Sequence, residues 1–424
     1  MVQPIRLNRL QFKERFLGSY DVASTALSSL AWQEDFKVSA MNSKKLRDLV
    51  FTLHRYIGLA VGLITIIVGL TGTLLVFHSE ISNFDQQRRI GTITPQGEPL
   101  PIEVVLNTVK KTYADQPDAP MQRIYLPSKP NEPMNVILKT KQNEWTENYV
   151  NPYTGKILGN NLKPTFIQKF YEIVYPLHYA LLGGDLGYKF VGIIGLLMSF
   201  MSITGIILWP GWRKLISGFK IKWNAHVKRV NFDVHKVAGV ITAVFLIFTF
   251  FTGFCWSFSD VVNPMIYTLT FSKQQADPVS VVVAGKSPLG LKEQLKTAQT
   301  ALPNGTLRRI YFPTKPEEAL TVAFKLPQEI EDYGQSSVYL DQYSGKVLRV
   351  DNSLKQSLGD RILNSFTPLH YGTFGGSPTR IFYLFVGLAP LILSVTGFVM
   401  WWYRYKGKNR SSQTRETIQL TAKN

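Results

Sequence analysis

The chain predicts a membrane protein: a bundle of four transmembrane helices made by internal duplication, with two small α+β domains outside the membrane. Three observations predict it. Four uncharged apolar runs, 56–77, 190–209, 237–258 and 381–403, each hold about 20 or more residues. That is enough to cross about 30 Å of hydrocarbon at about 1.5 Å per residue. The sequence also repeats. RIYLPSKPNEPMNVILK from Arg123 returns as RIYFPTKPEEALTVAFK from Arg309, YVNPYTGKILG from Tyr149 as YLDQYSGKVLR from Tyr339, and PLHYALLGG from Pro176 as PLHYGTFGG from Pro368. Finally, the positive charge is concentrated in three segments between and beyond the runs.

That charge orients the chain. Of a net +18, residues 1–55 hold 9 Lys/Arg against 5 Asp/Glu, residues 210–236 hold 7 against 1, and the tail from Arg404 holds 6 against 1. Four alternating spans put these segments on one side, and the positive-inside rule makes that side the cytoplasm, with both termini in it. The basic balance therefore signals an orientation among membrane lipids, and nucleic acid is not an expected partner.

In chain order, residues 1–45 form a cytoplasmic arm. It lacks the apolar stretch of a signal peptide, and Met41 with NSKKLRDLVFTLHR reads equally as a natural start. Helix 1 covers 46–78, and an outer domain follows at 79–163. The spacing of Ile102, Val105, Leu106 and Val109 predicts a helix there. Strand-like runs at 135–138 and 145–150 come next, closed by a turn at 152–156 whose Gly155 suits a positive φ. Residues 164–209 form an interfacial helix around Phe166–Tyr179 and then helix 2; 210–234 is a basic cytoplasmic loop; helix 3 is 235–258. The second outer domain, 259–353, repeats the first, with a helix over 291–298, strands at 320–326 and 337–340, and a turn at 342–346. Residues 354–403 repeat the interfacial helix and give helix 4, and 404–424 is a cytoplasmic tail. Glycines at helical spacing in the spans favour close helix packing. Gly58 and Gly239, one turn beyond His54 and His235, would also clear room for a flat macrocycle.

The repeat keeps four of the six histidines in register. His54 matches His235 at the cytoplasmic ends of spans, and His178 matches His370 at the outer ends. A two-fold relation between the halves brings matched residues together, and facing imidazoles are the ligand set of a bis-histidine haem. Two such pairs would place two haems in line across the membrane. Cys255 is the only cysteine and no CxxCH occurs, so the haem would be non-covalent, of the b type. His78, at the outer end of helix 1, is a weaker candidate ligand. A pair within one half, such as His78 with His178, stays open, as does direct binding of a transition metal. His226 falls in the basic loop as a solvated residue. No phosphate-binding glycine loop, HExxH zinc motif or nucleophilic triad is visible.

LHRYIGLAVGLITIIVGLTGTLLVF from Leu53, the two PLHY…GG segments and VTGFVMWW from Val395 resemble the PepSY-associated transmembrane family of bacterial, iron-regulated inner-membrane proteins. The resemblance covers roughly residues 45–405. It implies that the outer domains are periplasmic PepSY-like modules, that the bundle holds haem b on His54, His178, His235 and His370, and that the activity is reduction of ferric siderophores. Tyr125, Trp145 and Tyr311 are candidate siderophore contacts, against the plainer reading that they pack a core. Some relatives append a flavin reductase domain, which these residues do not include. The electron donor is left open between a quinol and a cytoplasmic reductase. The competing expectation is a permease component or sensor that binds a ligand or peptide through its outer domains without a redox cofactor.

Overall fold

The computed structural model describes residues 22–113, 120–139, 145–160, 163–283, 285–329 and 333–421, with side chains described between 44 and 407. The first 21 residues of the expected arm lie outside the described residues. The elements are α1 (Val22–Leu75), α2 (His78–Ile90), α3 (Ile102–Thr112), β1 (Met121–Tyr125), β2 (Met134–Lys139), β3 (Trp145–Val150), β4 (Ile157–Asn160), α4 (Phe166–Ala180), α5 (Gly184–Leu208) and α6 (Leu215–Phe219). They continue with α7 (Val227–Ser257), α8 (Ser259–Leu269), α9 (Leu291–Ala301), β5 (Thr306–Tyr311), β6 (Leu320–Lys325), β7 (Ser336–Leu340), β8 (Val347–Asp351), α10 (Leu358–Tyr371) and α11 (Ser377–Thr421). Four segments, Lys44–Leu75, Gly184–Trp212, Val227–Ser257 and Ser377–Gly407, are long and apolar enough to span a bilayer. They contain the four predicted runs almost entirely.

The chain divides into two compact units, residues 1–62, 200–243 and 393–424, and residues 63–199 and 244–392. In the first, spanning segments pack through small residues, with Gly58 against the Met201 side chain and the Ser394 hydroxyl donating to the Gly62 carbonyl. The basic loop is tied to α7 by Asp233, whose buried carboxylate takes Lys236 at 2.6 Å, Arg229 at 3.1 Å and the Lys222 N–H at 3.2 Å. Lys236 also donates to the Ser217 carbonyl in α6. Each charge is thus paired and hydrogen-bonded, as burial requires.

In the second unit the spans pack as closely. A Cβ on Gly69 would stand 2.6 Å from the Gly387 carbonyl, and one on Gly195 would stand 2.8 Å from that of Phe250. This unit also holds an antiparallel sheet of eight strands in the order β4-β3-β2-β1-β5-β6-β7-β8. The sequence leads one to expect two separate α+β domains, and here the structure differs. β1 pairs with β5 (Arg123↔Tyr311, Ile124↔Ile310, Tyr125↔Arg309), so the strands of both halves form one sheet. One core lies under it: Val105, Leu106 and Val109 of α3 and Ala298 of α9 join Ile124, Val136, Ile310 and Val322 from the strands. The pairing removes the edges that β1 and β5 would otherwise expose. Gly155 and Gly345 take φ of 69° and 71° in the matching turns, as anticipated for the first.

Candidate functional site

The first unit brings His54 of α1 to His235 of α7. Their ring centres are 6.3 Å apart and their planes are nearly perpendicular, at 81°. Nδ1 of His54 lies 2.9 Å from the Thr204 hydroxyl on α5, and Nδ1 of His235 lies 2.9 Å from that of Thr396 on α11.

The second unit brings His178 of α4 to His370 of α10, with ring centres 6.2 Å apart and planes at 75°. Short helices outside the spans deliver these two. α4 starts in a capping box between Thr165 and Gln168 and ends where Leu181 turns left-handed, at φ 49°. The Tyr171 hydroxyl pins it by donating to the Leu74 carbonyl. α10 starts in a box between Ser357 and Asp360 and ends at Gly372, φ 71°. Tyr267 of α8 donates to Asp360 at 2.6 Å. Burial, then this bond to a carboxylate, pushes the Tyr267 hydroxyl up to about 12. Nδ1 of His178 reaches the Thr71 hydroxyl at 3.1 Å and the Val68 carbonyl at 2.9 Å; Nδ1 of His370 reaches the Thr252 hydroxyl at 2.9 Å.

Hydrogen-bond accounting fixes the tautomers. Each threonine donates its one hydroxyl proton to its own helix: Thr71 to Ile67, Thr204 to Met201, Thr252 to Phe248 and Thr396 to Leu393. A hydroxyl whose proton is engaged can only accept. Each Nδ1 therefore carries the proton, and each Nε2 keeps its lone pair. A carbonyl can only accept, so Val68 says the same of His178. The glycine after each threonine leaves room for the ring: Cβ atoms built on Gly72, Gly205, Gly253 and Gly397 would lie 2.9, 3.5, 3.4 and 3.6 Å from Cε1 of His178, His54, His370 and His235.

Two imidazoles with neutral Nε2 atoms, held by second-shell hydrogen bonds, form a ligand pair. Metal–imidazole bonds of about 2 Å on either side of one ion put ring centres about 6 Å apart, which both pairs satisfy. Among the described residues no three His, Cys, Asp or Glu side chains gather to hold a bare ion. Two imidazoles so arranged could hold a metal whose remaining ligands come from elsewhere, as in a macrocycle.

The remaining candidates fall elsewhere. His78 opens α2 with its ring against Tyr171, centres 4.2 Å apart. His226 is exposed beside Tyr403. Cys255 is buried as a free thiol. Gly58 and Gly239, expected to clear room for a macrocycle, face the Met201 and Leu393 side chains, while the glycine that clears each histidine ring sits on a helix other than its own. The four Thr-Gly dipeptides are the part of the site that inspection of the histidines misses. The signal was present, since one Thr-Gly occurs in each apolar run.

Four spanning segments and two half-buried histidine pairs define a multi-pass membrane protein with two candidate metal-ligand sites. The chain belongs to the family described as the PepSY-associated TM region, whose model matches residues 51–404. It matches no curated protein.

Proposed function

We propose that the protein is a b-type haem reductase of the bacterial inner membrane that passes electrons outward to ferric iron in siderophore complexes in the periplasm. The observation that carries this is the doubled bis-imidazole geometry, with each Nε2 lone pair left available by a threonine. Bis-imidazole haem supplies a reversible one-electron couple, whose potential follows axial ligation, burial and hydrogen bonding. His54 and His235 hold the cytoplasmic centre, and His178 and His370 hold the outer one. The threonines orient the rings, and the glycines admit them. The repeat explains the doubling: two halves from one duplicated ancestor contribute one ligand to each centre. The donor is a quinol or a cytoplasmic reductase. Hard oxygen chelators hold ferric iron more tightly than ferrous, so one electron loosens the complex and frees the metal.

The test is the optical spectrum of the detergent-purified protein, with haem quantified. Low-spin b-type bands at about two haems per chain are expected. His54→Ala and His370→Ala should each remove about half the haem and most of the ferric reductase activity. A colourless protein from haem-replete cells would overturn the proposal and favour a permease component or sensor. So would full haem content and activity in both variants.

A further inference from the structure

The face of the sheet opposite α3 and α9 is not built like a protein surface at rest. Ile124 and Ile310 point into the core at the β1–β5 seam, so their neighbours Arg123, Tyr125, Arg309 and Tyr311 point the other way. The register sets Arg123 opposite Tyr311 and Tyr125 opposite Arg309, a two-fold square of two guanidinium groups and two phenols. Arg123 lies 5.5 Å from the Trp145 ring and 5.6 Å from that of Tyr311. Arg309 lies 5.7 Å from Tyr311 and 5.3 Å from Tyr333. Trp145 is 54 % exposed, although it is large and apolar.

Among the described residues, no carboxylate pairs with the guanidinium of Arg123 or Arg309. Of the described carboxylates on the strands, Asp351 is paired with Arg349 at 3.0 Å and Glu147 accepts from the Tyr149 hydroxyl. Nη2 of Arg309 donates to the Gly334 carbonyl, but its buried Nε has no partner among the described residues.

Aromatic rings also cluster at the outer histidine pair, in the same compact unit as this face. Tyr371 follows His370 with ring centres 5.9 Å apart, and Trp256 touches both, at 4.8 Å and 6.0 Å.

We propose that the Arg123–Arg309 seam binds a small polyanionic ferric chelate with aromatic oxygen ligands, of the tris-catecholate class. This rests on the reductase reading and selects its substrate. Catecholate oxygens carry the negative charge that guanidinium N–H groups hold with charge-assisted bonds. Catechol rings match the exposed indole and phenol faces. A neutral or cationic hydroxamate chelate would gain neither.

The test is equilibrium dialysis of the full-length protein in detergent against gallium(III) complexes of a tris-catecholate and of a tris-hydroxamate. Gallium mimics ferric iron but is not reduced, so binding is read without electron transfer. The catecholate should bind at least about tenfold more tightly. The Arg123→Gln/Arg309→Gln double variant should lose that preference. Lys110→Gln/Lys111→Gln, with two exposed cations removed from α3, should keep it. Equal affinities for wild type overturn the proposal, whether or not the arginine variant folds. A preference that survives the arginine variant, or that falls equally in the lysine variant, also overturns it. No gallium preference in the wild-type protein, with intact haem and ferric reduction, sinks only this site, whereas a wild-type preference in a protein without haem sinks only the reductase reading.

Discussion

Thr252 illustrates how one side chain sets what a histidine can do. Its hydroxyl donates to the Phe248 carbonyl at 2.7 Å and so can only accept from His370 Nδ1. That bond holds the ring in the tautomer with Nε2 unprotonated and raises its donor strength. Thr252→Val keeps the shape and removes the acceptor. Haem affinity at that pair should fall about 10–100-fold, and the midpoint potential of the outer centre should rise as the ligand becomes a weaker donor. The His54–His235 centre should keep its potential, and Thr252→Ser should restore the outer one. A redox titration with haem quantification checks this; an unmoved outer potential in the valine variant would remove the tautomer argument. Gly72 is the tightest of the four clearances, at 2.9 Å from His178 Cε1. An alanine there would force the ring itself to shift.

At the scale of elements, the two matching turns of the sheet show how a repeat diverges. In the first, Asn151 Oδ1 accepts from the N–H groups of Tyr153 and Thr154. In the second, Asp341 Oδ1 accepts from Tyr343 and Ser344, and Oδ2 accepts from the Val281 N–H at 2.6 Å, pinning the segment before α9. Burial works against the charged carboxylate, but the bonds from Val281 and Ser344 outweigh it and hold Asp341 below its ordinary value. A depressed folded-state value means that its stabilisation is present above the unfolded carboxylate range and is lost as pH falls through the folded value. Asp341→Asn sets an amide N–H₂ or a weaker acceptor against Val281 and should cost about 1–3 kcal/mol at pH 7. The deficit should shrink toward pH 3; thermal unfolding of the two proteins across that range measures it, and a constant deficit would contradict the assignment. Much of this scale was legible in the sequence: the turn glycines, α3, α9 and the strands follow from local pattern. Other parts were not. α1 gives way to α2 at Phe77, and α7 to α8 at Phe258, through bridge-like backbone (φ −113°, ψ 23° and φ −121°, ψ 35°) at a residue type that announces no break. The β1–β5 seam joins strands far apart in sequence, which no local pattern encodes. The histidine pairs were legible only because each ligand has a partner in the other half; their threonines were visible as Thr-Gly but carry no signal until a ring is placed beside them.

For the whole molecule, the proposed outward electron transfer depends on which side of the membrane the sheet occupies. The charge count of residues 210–236 leads one to expect the basic loop in the cytoplasm. One spanning segment, Val227–Ser257, separates that loop from α9 and the strands after it. The two regions must therefore lie on opposite sides if that segment crosses. The chain offers a clean way to ask. Cys255 is its only cysteine and is buried, so a Cys255→Ala background has no thiol to label. Lys220 in the loop and Lys296 on α9 are both exposed. In spheroplasts, a membrane-impermeant maleimide should modify Lys296→Cys at once and Lys220→Cys only after lysis. The reverse pattern would put the sheet and the His178–His370 pair toward the cytoplasm, and outward reduction of ferric chelates would be untenable whatever the haem content. Labelling of both from one side would mean that Val227–Ser257 does not cross, and the four-span topology would fall with it.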